Sequence, residues 1–248
     1  MRVDVLQLPP APDDPSLVDK TCLVVDVLRA TSTIATLLDG GLDAIYPADS
    51  IVEGRERRNV LQQALGREVL LCGEEGGLPP AGYDLGNSPT ELAAVLAARQ
   101  PPWREAVIAT SNGTKALLAC RSAALVLAAA PLNAAAVTAH ALTAANDVLV
   151  VCSGTGGEPS DDDDLAGGLL AQRLIDAGAD ATDDAAQSAA RYRAVRDDLP
   201  AALRATRHGE TLIGLGFNAD LNRCGSENTV PMAAALAETD GVAVLRRL

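Results

Sequence analysis

The sequence predicts an α/β protein with a mainly parallel or mixed sheet flanked by helices, and three observations carry that expectation. Short runs rich in Val, Leu and Ile recur at residues 3–8, 22–28, 69–72, 106–109, 125–128 and 148–152. Stretches with helical periodicity stand between them, at 31–38, 51–65, 91–98, 114–120 and 134–145. The short runs read as strands buried on both faces, and their alternation with helices points to parallel pairing.

Taken in order, the first strand leads into a Pro-rich stretch at 8–15, read as a surface loop. The strand, helix alternation then continues to Cys152. Beyond it the character changes: 165–177, 184–195 and 199–206 all read as helix before one last strand at 242–245, so the C-terminal third is expected to be helix-rich. There is no repeat of fixed period and no clear linker. Residues 1–248 are expected to form a single compact unit, with a division into two lobes near 120–130 left open.

Composition narrows the function. A chain of 248 residues, 48% of them apolar, can bury a core of ordinary size and is not disordered. Its formal charge of −13 would repel a phosphate polymer or an anionic lipid surface, which argues against nucleic acid and membrane partners. No basic stretch with a following apolar run opens the sequence, and no segment has about 18 uninterrupted apolar residues. A cytoplasmic protein is expected. Five cysteines, at 22, 72, 120, 152 and 224, form no CxxC pair, so neither a disulfide framework nor a zinc site is indicated. The two histidines, His140 and His208, read as ordinary helix or turn residues. The alanine-rich stretch 134–145 could pack inside one subunit or form an interface in a homo-oligomer.

In open α/β sheets ligands bind past the carboxyl ends of the strands, so the strand exits are the places to search. The exit after Val25 is Asp26-Val27-Leu28-Arg29-Ala30-Thr31-Ser32-Thr33, a carboxylate, a guanidinium and three hydroxyls around a helix start. A metal ligand and an anion clamp could be built there; equally, Thr31 or Ser32 could cap the helix while Arg29 pairs with Asp26. The next exit, Gly73-Glu74-Glu75-Gly76-Gly77, followed by Asp84-Leu85-Gly86-Asn87-Ser88-Pro89, offers Glu74 and Asp84 as oxygen ligands for a hard cation such as Mg²⁺. Thr110-Ser111-Asn112-Gly113-Thr114-Lys115 gathers hydroxyls, backbone N–H groups and one ammonium in the outline of an anion site, without the Walker spacing. The fourth exit, Cys152-Ser153-Gly154-Thr155-Gly156-Gly157, is followed by four aspartates at 161–164, which complement a helix dipole or complete a magnesium shell. Cys152 reads as a buried, inert strand cysteine.

These five motifs, in this order over residues 24–231, resemble the 2-phosphosulfolactate phosphatase family. Asp161-Asp162 with Ala166-Gly167, and Asp220, Cys224 and Val230-Pro231, extend the likeness. The resemblance implies an α/β architecture and Mg²⁺-dependent hydrolysis of 2-phosphosulfolactate, an intermediate of coenzyme M biosynthesis. Glu75 stands where the family usually has arginine, exchanging a cation able to hold phosphate or sulfonate for an anion. On the combined reading Asp26, Arg29 and Glu74 are catalytic, and Asp26, Glu74, Asp84 and Asp162 hold the metal. Thr31, Ser32, Ser111, Asn112, Gly113, Thr114, Lys115, Gly154 and Thr155 surround a small anionic phosphate ester. Metal-activated water is the expected nucleophile. The enzymatic alternative is a haloacid dehalogenase-type phosphatase of broad specificity with Asp26 as nucleophile, although the Asp-x-Asp signature is missing because Leu28 occupies the second position. A protein that captures a small dianion without turnover is the non-enzymatic alternative.

Overall fold

Strand β2 (Lys20–Val25) shows how this core is made: Leu23 and Val25 pack on one face of the sheet, Cys22 and Val24 on the other, and all four are fully buried. Side chains alternate between faces along a strand, so a strand covered on both sides must be apolar throughout. The computed structural model describes residues 1–98 and 102–248.

The other strands are β1 (Arg2–Leu6), β3 (Ala44–Ala48), β4 (Leu70–Gly73), β5 (Glu105–Ala109), β6 (Leu125–Ala129), β7 (Asp147–Cys152), β8 (Asp180–Ala181), β9 (Ala234–Thr239) and β10 (Val242–Arg247). They form one sheet in the order β4-β5-β3-β10-β9-β6-β2-β7-β1-β8. Two parallel blocks, β4-β5-β3 and β6-β2-β7-β1-β8, are joined by the antiparallel β9–β10 hairpin. β10 pairs antiparallel with β3 and β9 with β6. Three antiparallel pairings in a row make the two blocks run in opposite senses. Strand-to-strand twist of about 20–25° accumulates to roughly 100–125° over the five steps from β5 to β2, which turns the C-terminal ends of both blocks toward one region.

The helices are α1 (Ala30–Asp39), α2 (Ile51–Leu65), α3 (Pro89–Ala98), α4 (Gly113–Ala119), α5 (Ala134–Ala144), α6 (Asp161–Asp176), α7 (Asp183–Val195), α8 (Leu199–Arg204), α9 (Arg207–Gly214) and α10 (Asn218–Gly225). α1 is buried from Ala30 to Leu38 and lies in the core with Cys22 and Val24, whereas α5 and α6 cover the opposite face. Ala134, Val137 and Ala141 of α5 pack into that second core. No helix of the described residues is long and apolar enough to cross a membrane.

Two expectations are corrected. The C-terminal third holds two long strands rather than one: β9 is added before the strand at 242–245, and the pair sits in the middle of the sheet. Its Ala-Ala-Leu-Ala start carries no strand signal of its own and is made a strand by pairing with β6 and β10. β3 is likewise additional. Its Pro47 cannot donate to a ladder, and the pairing with β10 is confined to Ile45.

Candidate active site

Past the C-terminal ends of both blocks lies a cavity of about 770 Å³. Asp26 follows β2, Glu74 follows β4, Ser111 and Asn112 follow β5, and Thr155 follows β7; all line it. Asp161 and Asp162 from the start of α6 and Arg207 and His208 from the start of α9 complete the wall.

The loops are bonded to one another. Glu74 accepts from Ser111 N at 2.7 Å through Oε1 and from Gly77 N at 2.8 Å through Oε2, joining the exits of β4 and β5. Asn112 Oδ1 accepts from Gly156 N at 3.2 Å, tying β5 to the exit of β7. Two turns of the same build face the site. In Glu75-Gly76-Gly77-Leu78 and Thr155-Gly156-Gly157-Glu158 the outer residues exchange backbone hydrogen bonds while both glycines have positive φ. Such tight two-residue loops favour glycine because both central residues are left-handed.

Gly113 is fixed by a close approach: a Cβ there would fall 2.5 Å from Asp26 Oδ2 and 2.6 Å from the Ala30 Cβ. The absence of a side chain lets the loop after β5 seat against the loop after β2. Asp26 itself is 8% exposed, and its Oδ1 accepts from Ala30 N at 3.0 Å. Burial raises its pKa to about 6, opposed by the Ala30 hydrogen bond and by His208, and assisted by Glu74 and Asp162.

The four aspartates opening α6 separate by direction. Asp162 accepts from Ser160 Oγ and faces His208, with Nδ1 to Oδ2 at 3.3 Å. Asp163 turns inward, accepting from Val27 N, Ser153 Oγ and Gly154 N at 2.9, 2.9 and 3.0 Å. Burial and the neighbouring Asp162 and Asp26 push its pKa well up. Asp164 binds Gln7, Ser188 and Arg191 on the far side of the helix. Only Asp161 and Asp162 of the four line the cavity.

Several expected site residues are turned elsewhere. Arg29 lines the cavity, yet its guanidinium is already paired: Nη1 donates to Asp220 at 2.9 Å, Nη2 to the Gly77 carbonyl at 2.6 Å, and the group lies 4.2 Å from the Phe217 ring centroid. Thr31 donates to the Asp26 carbonyl and Ser32 to that of Val27, so both fully buried hydroxyls close the turn. Thr114 does the same with the Thr110 carbonyl. Gly154 braces Asp163, and Lys115 is exposed outside the set of lining residues. Asp84 does not reach the cavity; its Oδ2 accepts from Leu71 N at 2.8 Å beside Arg58. Glu75 is exposed and lies outside the lining. Cys152 is buried, its thiol pushed well up by burial.

Sequence reasoning missed Arg207, His208 and Asn87. His208 is the opposite of the ordinary turn residue expected: burial favours its neutral form, but Asp162 and Asp26 outweigh that and raise its pKa. The available signal was Thr206, whose Oγ1 caps α9 through Gly209 N at 3.0 Å and so sets the start of that helix. His140 stays on α5, outside the cavity lining.

Among the described residues no three His, Cys, Asp or Glu side chains stand together as a preformed ligand set. Mg²⁺ does not need one, because it is commonly held by one or two carboxylates with water and substrate phosphate. Asp26, Glu74 and Asp162 bring hard oxygen donors of the kind such an ion takes.

Carboxylates gathered past the strand ends of an α/β sheet around a cavity of ligand size define a small-molecule α/β enzyme. Residues 9–239 match the model of the family described as 2-phosphosulpholactate phosphatase. Relatives carrying the name "Probable 2-phosphosulfolactate phosphatase" include one from Deinococcus radiodurans, 36% identical, covering 98% of this chain and 95% of its own length. Another from Thermotoga petrophila is 34% identical over 98% of both chains. One from Clostridium perfringens is 32% identical over 94% of this chain and 92% of its own. The chain belongs to the 2-phosphosulfolactate phosphatase family of phosphoric monoester hydrolases.

Proposed function

We propose that this protein hydrolyses the phosphate monoester of 2-phosphosulfolactate, or of a closely related 2-phospho-2-hydroxy acid, to the hydroxy acid and inorganic phosphate, with Mg²⁺ required. The observation that carries the reading is the convergence of Asp26, Glu74 and Asp162 from three separate strand exits on one cavity in a chain of this family.

One or two of Asp26, Glu74 and Asp162 would hold the ion with water and substrate phosphate, and the ion would supply neutralisation of the charge carried by the phosphoryl oxygens. Ser111, Asn112 and Thr155 offer neutral hydroxyl and amide contacts to those oxygens. As a water oxygen bonds to phosphorus and the ester P–O bond breaks, His208, bonded at Nδ1 to Asp162, would donate a proton from Nε2 to the departing ester oxygen. The attacking water passes its proton to solvent and leaves as part of inorganic phosphate. Asp163 holds the exits of β2 and β7 in register while this happens.

The test is phosphate release from 2-phosphosulfolactate by the purified protein with Mg²⁺ and with EDTA. Turnover with Mg²⁺ and its loss in EDTA are expected. Binding of the ester without phosphate release at any Mg²⁺ concentration would overturn the reading in favour of a capture protein.

A further inference from the structure

The helices of this protein differ in the charge of their first turns. α6 opens with four aspartates and α7 with Asp183 and Asp184, acids at the positive end of each helix. α9 opens with Arg207 and His208, which line the cavity, and carries its one first-turn acid, Glu210, outside the lining. Arg207 is exposed and takes part in no ion pair or side-chain hydrogen bond among the described residues, whereas Arg29, the other guanidinium of the wall, is neutralised by Asp220.

A second observation points to a polar ligand in the same space. Asn87 is 3% exposed and lines the cavity, yet its Oδ1 has no hydrogen-bond partner among the described residues. Buried amides are rarely left so; an acceptor of this kind is completed by a donor on a bound polar group and not by an oxyanion, so Asn87 marks the cavity as a ligand space while an anionic arm needs a different partner. The remaining charged wall is acidic: Asp26, Glu74, Glu158, Asp161 and Asp162. A metal bound there balances the phosphate, but a further anion on the substrate would meet only repulsion unless a free cation receives it.

We propose that Arg207 is the specificity-determining residue of this site, receiving the non-reacting oxyanion of the substrate, a carboxylate or sulfonate, and so selecting acidic phosphate esters over neutral ones. The inference rests on the phosphatase reading above. It makes the start of α9, not the turn at Glu75, the source of the cation for that arm.

The experiment compares wild type, Arg207→Gln and Arg207→Lys on 2-phosphosulfolactate and on 4-nitrophenyl phosphate, with sulfolactate and inorganic phosphate as inhibitors. Losing a charge-assisted contact should raise KM for the acidic ester about 10- to 100-fold and shrink its advantage over the aryl ester by the same factor. Sulfolactate inhibition should weaken in parallel while inorganic phosphate inhibition moves far less, and Arg207→Lys should recover part of the loss. Equal losses on both esters, or weakened inhibition by phosphate itself, would overturn the assignment by making Arg207 a phosphate contact. An unchanged KM ratio in Arg207→Gln would overturn it outright. Failure of the wild type to release phosphate from either ester would instead sink the phosphatase reading.

Discussion

α1 and α9 both begin at the catalytic cavity, each with an arginine at or beside its first residue, and the two are built in opposite ways. At α1 every polar group is spent on the protein: Arg29 on Asp220 and Gly77, Thr31 and Ser32 on carbonyls of the preceding turn. At α9 the guanidinium of Arg207 is left open to the cavity. A dense polar motif at a strand exit is therefore as much a frame as a site. What it frames is Asp26, and what meets the ligand also comes from a helix start with no strand before it.

The largest expected effect separates the two arginines. Arg29 and Asp220 are 2% and 1% exposed, and breaking a buried pair strands one charge without compensation. Arg29→Met should cost about 3–5 kcal/mol in urea unfolding, whereas Arg207→Gln should stay within about 0.5 kcal/mol of wild type. Similar losses for both would erase the distinction between frame and site.

Next in size is Asp26. Its pKa is raised from 3.8 to about 6, so the folded state binds the proton more tightly than the unfolded chain does. Without metal, stability should fall as pH rises through that interval, leaving a cost of the order of 3 kcal/mol at neutral pH. Asp26→Asn should flatten that slope and raise the unfolding midpoint of the metal-free protein at pH 7.5, while removing turnover. Thermal unfolding from pH 4 to 8 in EDTA checks both signs; an unaltered slope in the variant would assign the titration to another group.

The strand exits named in the sequence do supply Asp26, Glu74, Ser111, Asn112 and Thr155 to one cavity. Position after a strand is a local property, and the sheet converts it into a common place. The direction of a side chain within its turn is not local. Thr31 and Ser32 close back on carbonyls five residues earlier, and the four consecutive aspartates of α6 serve different partners because a helix rotates each by about 100°. His208 and Asn87 enter through chain segments far from the residues they meet; the Thr206 cap announces where α9 starts but not what its first turn faces. β9 was hidden for a related reason: its alanines become a strand only between β6 and β10.

Gly113→Ala tests the contact between the frames of the two blocks. The added Cβ would lie 2.6 Å from the Ala30 Cβ and 2.8 Å from the Asp26 Cβ, both fixed to the backbone, and 2.5 Å from Asp26 Oδ2, which would have to turn away. Overpacking of this kind costs about 1–3 kcal/mol, and the displaced carboxylate should lower kcat together with stability. A stable variant with normal kcat would mean that the loops after β2 and β5 can part without harm to the site.

The smallest effect is expected where the family resemblance pointed most directly to the substrate. Glu75 sits on an exposed Gly-Gly turn whose backbone bonds run to Leu78 and whose shape comes from Gly76 and Gly77, not from the side chain at 75. Glu75→Arg should therefore change stability by less than about 0.5 kcal/mol and shift KM for an acidic phosphate ester only slightly, through the weak, salt-screened field of one exposed charge. Repeating the measurement at high ionic strength should abolish even that shift. A tenfold fall in KM that survives salt would require the arginine to reach the ligand, and would move the selecting cation from α9 to the turn after β4.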